Sequence, residues 1–115
     1  MYRAKNGSMF VTATWGVLMS TDGDVWSQIA NSGESMYAGI TGDGTTLFRS
    51  NKGVCADVGM NEMFYATALE ASPRQWTPMQ TPGMTQGAYD MAYDVDHHIL
   101  YTSSCRQGFW RVTTR

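Results

Sequence analysis

The chain has 115 residues, which is long enough for one domain with its own core. Hydrophobic residues make up 43% and charged residues 16%, a balance that excludes a solvated disordered chain. The formal net charge is -2, so composition gives no support for nucleic acid or an anionic membrane surface as a partner. Neither an apolar run of about 20 residues nor a signal-peptide stretch in residues 1–7 is visible, and the sequence assigns no compartment.

Short runs of β-branched and aromatic residues between turn signals predict an antiparallel all-β fold. An additional edge strand within residues 1–5 is the alternative that would raise the count from two and a half blades to nearly three. The ten predicted strands cover residues 9–14, 16–20, 25–29, 36–40, 46–50, 63–68, 75–79, 89–93, 99–103 and 109–112.

Residues 61–71 carry a competing helix signal. The segment has good helix formers, an Asn at its start and Pro73 after its end. We predict a strand there because of the repeat that surrounds it.

Three segments share one pattern, a polar turn followed by an apolar and aromatic strand. Asn6-Gly7-Ser8-Met9-Phe10-Val11-Thr12 overlays Asp43-Gly44-Thr45-Thr46-Leu47-Phe48-Arg49 and Asp96-His97-His98-Ile99-Leu100-Tyr101-Thr102. The spacings between the three copies bracket the length of a four-stranded blade, and the longer spacing predicts an insertion near residues 56–61. The pattern predicts a single β-propeller segment over residues 1–115, of two and a half to three blades at about 1–32, 33–83 and 84–115.

The turn Ser20-Thr21-Asp22-Gly23-Asp24-Val25-Trp26 is expected to close a hairpin. Asp22 can accept hydrogen bonds from backbone N–H groups, and Gly23 can adopt a positive φ. Trp26 is expected to pack its ring under the turn.

This turn resembles the Asp-box, or bacterial neuraminidase repeat, of the form Ser-x-Asp-x-Gly-x-Thr-Trp. It keeps Ser20, Asp22 and Trp26, but its glycine, Gly23, comes one place early and Val25 replaces the usual Thr. The resemblance implies a sialidase-like or xyloglucanase-like β-propeller. In that family the Asp-box lies at the outer blade edge, remote from the central ligand site, so Ser20, Asp22, Gly23 and Trp26 are expected to be structural.

A catalytic site is not evident, and we expect a non-enzymatic protein without a cofactor. No motif groups the arginines (Arg49, Arg74, Arg106 and Arg111) as a sialidase site requires. Asp94 and Asp96 lie two residues apart before a strand, where paired carboxylates or a metal site are conceivable, but Asp is also a routine turn residue. The adjacent His97 and His98 are expected to be exposed polar residues, and no metal site is predicted.

Aromatic side chains that stack on sugar rings are the remaining ligand candidates. Trp15 is preferred, followed by Tyr37 and Tyr89, with Asp94 and Asp96 as polar candidates. The expected function is a glycan-binding or scaffold module, with part of a glycoside hydrolase and a purely structural assembly module as alternatives.

A closed ring typically needs four or more blades, so the predicted blades are too few for one chain. The expected partners are identical chains, for example in a dimer, or the remaining blades of a larger propeller.

Cys55 and Cys105 are fifty residues apart and do not form a zinc pattern. Buried free thiols are the simpler interpretation, and a single disulfide is the alternative. The nine methionines are interpreted as core filling.

Overall fold

The computed structural model describes residues 1–30, 32, 39–51 and 61–115. Every regular element within these ranges is a β-strand, which confirms the predicted all-β class. The strands are β1 (Tyr2–Arg3), β2 (Met9–Ala13), β3 (Gly16–Ser20), β4 (Ser27–Gln28), β5 (Ile40–Gly42), β6 (Thr46–Ser50), β7 (Phe64–Ala68), β8 (Thr77–Met79), β9 (Ala88–Asp94), β10 (Ile99–Ser104) and β11 (Gly108–Thr113).

The strands form three antiparallel sheets in which each strand pairs with the next along the chain. The first sheet has the order β1-β2-β3-β4 and the second has β5-β6-β7-β8. In the third sheet β10 lies between β9 and β11. Short turns between consecutive strands are the simplest way to build antiparallel sheets, and this explains the abundance of turn residues in the sequence.

The segment with mixed helix and strand signals forms strand β7, as predicted. Arg49 pairs with Tyr65 and Phe48 with Ala66, so β7 completes its hydrogen bonding with β6 on one side and with β8 on the other. Sheet pairing therefore outweighs the local helix propensity of this segment.

Strands β3 and β6 have the predicted bounds, most of the others differ by one or two residues at an end, and β4 and β5 differ most. Strand β4 begins at Ser27 because the amide of Val25 donates instead to the Asp22 carboxylate in the preceding turn. Strand β5 extends to Gly42, which pairs with Leu47, and the predicted residues 36–38 lie outside the described residues. The predicted insertion near residues 56–61 also falls there, except for Asn61.

The second sheet lies between two hydrophobic cores. The first core contains Phe10 and Val17 of the first sheet together with Ile40 and Leu47 of the second. The second core contains Phe48 and Phe64 of the second sheet together with residues of the third, including Leu100. Successive strand residues face opposite sides, so Leu47 and Phe48 serve different cores.

The direction of the side chains corrects the predicted overlay of the repeats by one residue in the first sheet. Phe10 faces the following sheet, as Phe48 does, whereas Leu47 faces the preceding sheet. Phe10 therefore corresponds to Phe48, and Met9 corresponds to Leu47. The shift arises because β1 and β2 are joined by residues 4–8, a longer turn than residues 43–45 between β5 and β6.

The first strands of the three sheets are neighbours. Strand β5 contacts β1 on one side and β9 on the other. Glycines permit this approach: a Cβ on Gly42 would lie 2.8 Å from the Tyr2 ring, and one on Gly39 would lie 2.5 Å from the Met91 side chain.

We call the end of the sheets that carries residues 4–8, 43–45 and 95–98 the first-turn end. Contacts with the neighbouring sheet hold two of these turns in place. Asn6 donates to the Glu70 carboxylate at 2.7 Å, and Arg115 forms an ion pair with Asp43 at 3.5 Å. The opposite end carries the turns at residues 14–15 and 105–107.

Candidate binding cleft at the first-turn end

The turn between β3 and β4 is organised by two side chains. The Ser20 hydroxyl accepts from the Gly23 amide at 2.8 Å and donates to the Asp22 carboxylate at 3.0 Å. Asp22 also accepts from the amides of Asp24 and Val25, both at 2.9 Å. These backbone hydrogen bonds, followed by the one from Ser20, lower the pKa of Asp22.

Gly23 has a φ of 90°, and its carbonyl accepts from the Trp26 indole at 3.0 Å. The half-buried Trp26 is thus fixed to its own turn. The Ser20 hydroxyl, an Asp22 carboxylate oxygen and the Trp26 indole N–H all form hydrogen bonds within the hairpin. These side chains therefore have few further hydrogen bonds to offer a ligand.

Asp94 shapes the turn between β9 and β10. One of its oxygens accepts from the amides of Asp96 and His97, and the other lies 2.8 Å from His97 Nδ1. The hydrogen bond with the His97 side chain, followed by that with its amide, lowers the pKa of Asp94. A carboxyl group held ionised in this way is a poor general acid at neutral pH.

His97 is exposed, as expected, whereas His98 is half-buried. His98 has a φ of 55°, and its carbonyl accepts from the Thr114 amide at 2.9 Å. Its backbone therefore connects the turn to the segment after β11, a role the sequence did not indicate.

A cleft of about 240 Å³ opens at the first-turn end, and all three sheets contribute to it. The first sheet provides an aromatic ring and two cations, the second provides a glycine-flanked carboxylate, and the third provides an aromatic and an aliphatic side chain. The lining residues are Tyr2, Arg3, Lys5, Gly42, Asp43, Gly44, Tyr93 and Val95.

Asp43 is the most strongly held group in this cleft, with a side chain only 5% exposed. Burial raises its pKa, but the amides of Thr45 and Thr46, the Thr45 hydroxyl and the Arg115 charge together lower it more. Asp43 is therefore an anion that is already hydrogen-bonded, whereas Arg3 and Lys5 are exposed.

The two tyrosines give the cleft an aromatic wall. Burial raises the pKa of Tyr2, against a hydrogen bond with the Gly44 backbone that lowers it. Tyr93 stacks on Phe48 with ring centroids 5.2 Å apart, and its hydroxyl lies 2.7 Å from Thr114 Oγ1. Both rings are held in place before any ligand arrives.

The residues predicted as ligand contacts do not converge. Asp94 and Asp96 lie at the first-turn end, where Asp94 is flanked by the cleft residues Tyr93 and Val95. Trp15, which is 70% exposed, lies at the opposite end, in the turn between β2 and β3.

Tyr89 is half-buried near the start of β9, also towards the opposite end, and Tyr37 lies outside the described residues. Sequence reasoning did not select Tyr2, Arg3, Lys5, Asp43 or Tyr93 as ligand contacts. The polar turn that the three repeats share, just before the second strand of each sheet, was the sequence signal that marked the first-turn end.

A second depression lies on the face of the third sheet that points away from the cores. It has a volume of about 280 Å³, and Asp90, Ala92, Tyr101, Ser103 and Phe109 are among its lining residues. Tyr101 and Phe109 stack with ring centroids 5.5 Å apart, and Phe109 is 71% exposed.

The arginines do not form the cluster that a sialidase site would need. Arg49 is buried, with its guanidinium 4.5 Å from the centre of the Tyr65 ring and 4.7 Å from that of the Trp76 ring. Arg74 lies 5.6 Å from the Phe10 ring and donates to the Leu69 carbonyl. Arg106 and Arg111 are exposed on the third sheet.

The preferred interpretation of Cys105 as a buried free thiol is wrong, because Cys105 is half-buried and disulfide-bonded. It lies in the turn after β10 rather than at a core-facing position of a strand. Cys55 lies outside the described residues.

Among the described residues, no three His, Cys, Asp or Glu side chains are grouped so that they could hold a metal ion. The same part of the chain contains no helix with the length and apolar character needed to cross a membrane. Comparison of the sequence with protein families and with curated proteins finds no match.

Proposed function

We propose that this chain is a non-catalytic binding and scaffold module built from β-propeller blades, with glycans as the ligand class. The observation that carries the proposal is the first-turn cleft, to which all three sheets contribute side chains. Ligand sites commonly form where several elements converge on a concave surface with a few polar groups.

The packing of the sheets supports the propeller architecture. Each sheet is a meander, the sheets stack face to face through two separate cores, and their first strands are neighbours. Blades arranged around a common axis have these three properties. The hydrogen bonds of Ser20, Asp22 and Trp26 support an Asp-box role for their turn at the outer side of the first blade.

The chemistry of the cleft supports a glycan ligand. Tyr2 and Tyr93 provide aromatic surface, and the exposed Lys5 and Arg3 offer hydrogen-bond donors to hydroxyl or carboxylate groups of a sugar. The lowered pKa values of Asp43 and Asp94 favour binding over acid catalysis, because both groups are held ionised by their turns.

A glycan array followed by calorimetric titration of the best ligand tests this function. We expect Lys5→Ala to weaken binding by about tenfold, the loss expected for one charged hydrogen bond. Arg106→Ala is the matched control, since Arg106 is an exposed cation in a turn at the opposite end, and it should leave the affinity unchanged.

Two results would contradict the proposal. The absence of any glycan ligand would favour a purely structural module. Turnover of a fluorogenic glycoside that Asp94→Asn abolishes would favour the hydrolase alternative.

Trp15→Ala distinguishes the two ends of the molecule: a large loss of affinity would move the glycan site from the cleft to the predicted contact at Trp15.

A further inference from the structure

The second strand of each sheet carries an aliphatic residue followed by an aromatic one: Met9-Phe10, Leu47-Phe48 and Leu100-Tyr101. In each of the two cores, the aromatic residue of one sheet meets the aliphatic residue of the next. Phe10 lies with Leu47 in the first core, and Phe48 lies with Leu100 in the second. Met9 at one end of the stack and Tyr101 at the other belong to neither core of the described residues.

We call the outward face of the third sheet the donor face. Leu100, Tyr93 and Val112 point into the second core, so the paired row of Tyr101, Ala92 and Arg111 points away from it. Phe109 and the exposed Asp90 lie on the same side, where they line the 280 Å³ depression with Tyr101. Aromatic side chains in such a position are typical of interface cores.

We call the outward face of the first sheet the receiver face. Phe10 and Val17 point into the first core, so Val11 and its partner Leu18 face the other way. Met9 shares this face, as does the exposed Arg3 that pairs with it. The receiver face thus combines half-buried aliphatic side chains with a cation. The donor face combines aromatic rings with one carboxylate, Asp90, and one cation, Arg111.

We propose that the donor face of one chain packs against the receiver face of a second copy, so that two copies close a ring of six sheets. This inference rests on the proposed propeller architecture. Tyr101 would meet Met9 of the other copy as Phe10 meets Leu47 within the chain. Two copies are favoured because six blades fall within the usual range of four to eight, whereas three copies would give nine. A two-fold arrangement buries both faces of both chains.

Light scattering coupled to size exclusion tests the association. The wild-type chain should have twice the chain mass of 12.7 kDa. Phe109→Asp on the donor face and Leu18→Asp on the receiver face should each raise the dimer dissociation constant at least tenfold. Val25→Asp is the matched control, because Val25 is also 71% exposed but lies in the turn after β3, and it should remain dimeric.

An isotope-filtered NOE experiment on a mixture of labelled and unlabelled wild-type chains tests the pairing without a substitution in the half-buried Leu18. Contacts between the rings of Tyr101 or Phe109 in one copy and the methyl groups of Met9 or Leu18 in the other are expected. Intermolecular contacts among Tyr101 and Phe109 alone would overturn the proposal, since they would show two donor faces packed together.

A monomeric wild-type chain, or an assembly larger than a dimer, would also overturn it. The first-turn cleft lies within one chain, so the ligand proposal is tested separately. A monomer that binds glycan contradicts only the docking of two copies, and a dimer without a glycan ligand contradicts only the ligand class.

Discussion

Individual carboxylates in this protein act as local organisers of turns. Asp22, Asp43 and Asp94 each accept backbone amides two and three residues further along the chain. All three have pKa values below the ordinary range for the same reason, hydrogen bonding to the ionised form. Asp is frequent in turns because it can make these bonds, and the sequence predicted such a role from residue type alone.

The stabilisation by Asp43 is expected to depend on pH. Its pKa is lowered in the folded chain, so its contribution is fully present above the unfolded value of about 3.9 and is lost as the pH falls through the folded value. Asp43→Asn should therefore destabilise the protein at pH 7, by about 1–3 kcal/mol. Chemical denaturation at a series of pH values should show this difference shrinking below pH 4.

Asp24→Asn serves as the comparison, because Asp24 is an exposed neighbour of Asp22 in a turn of the same kind. Its effect at pH 7 should stay within about 0.5 kcal/mol, as expected for an exposed residue. A difference between wild type and Asp43→Asn that stayed constant down to pH 2 would show that the ionised carboxylate is not the stabilising form.

At the scale of the strand, short runs of β-branched and aromatic residues between turn signals predicted the elements, because each sheet is a meander of strands that follow one another along the chain. Strands β3 and β6 have the predicted bounds, and β7 forms despite its helix formers. The predicted end of strand β5 at Ile40 is two residues too early, because its register against β6 includes a pairing of Gly42 with Leu47 that no local pattern encodes.

The close approach of β5 to β1 makes a strong prediction about Gly42. A Cβ there would lie 2.7 Å from the Thr46 carbonyl oxygen and 2.8 Å from the Tyr2 ring, so the backbone must move. Gly42→Ala should lower the free energy of unfolding by about 1–3 kcal/mol through overpacking, measurable by urea denaturation.

Gly7→Ala provides the contrast, since a Cβ at Gly7 meets no atom within 4 Å but the φ of 92° is strained for alanine. Its cost should reflect the strained backbone conformation alone. If Gly42→Ala were as stable as wild type, the first strands would not be packed as closely as described.

At the scale of the whole molecule, the second sheet couples the two cores. Leu47 and Leu100 are both fully buried, one in each core. Because the second sheet contributes to both cores, we expect a single cooperative unfolding transition. Leu47→Ala and Leu100→Ala should each reduce the free energy of unfolding by about 2–5 kcal/mol.

Tryptophan fluorescence and far-UV circular dichroism, recorded in urea at one fixed protein concentration, measure these changes, since self-association would otherwise shift the midpoint. Val95→Ala is the control: Val95 is 53% exposed, and the change should stay within about 0.5 kcal/mol. Two separate transitions, with only one affected by each leucine variant, would mean that the cores unfold independently.

The sequence by itself determined the all-β class, the approximate positions of the strands, and the hairpin turn held by Ser20, Asp22 and Trp26. These follow from interactions between residues close along the chain: turn hydrogen bonds, β propensity and alternation. Only the tertiary structure decided which side chains meet. The cleft of Tyr2, Lys5, Asp43 and Tyr93 and the outward faces around Met9 and Tyr101 depend on how whole sheets stack, and stacking is set by complementary packing between distant segments.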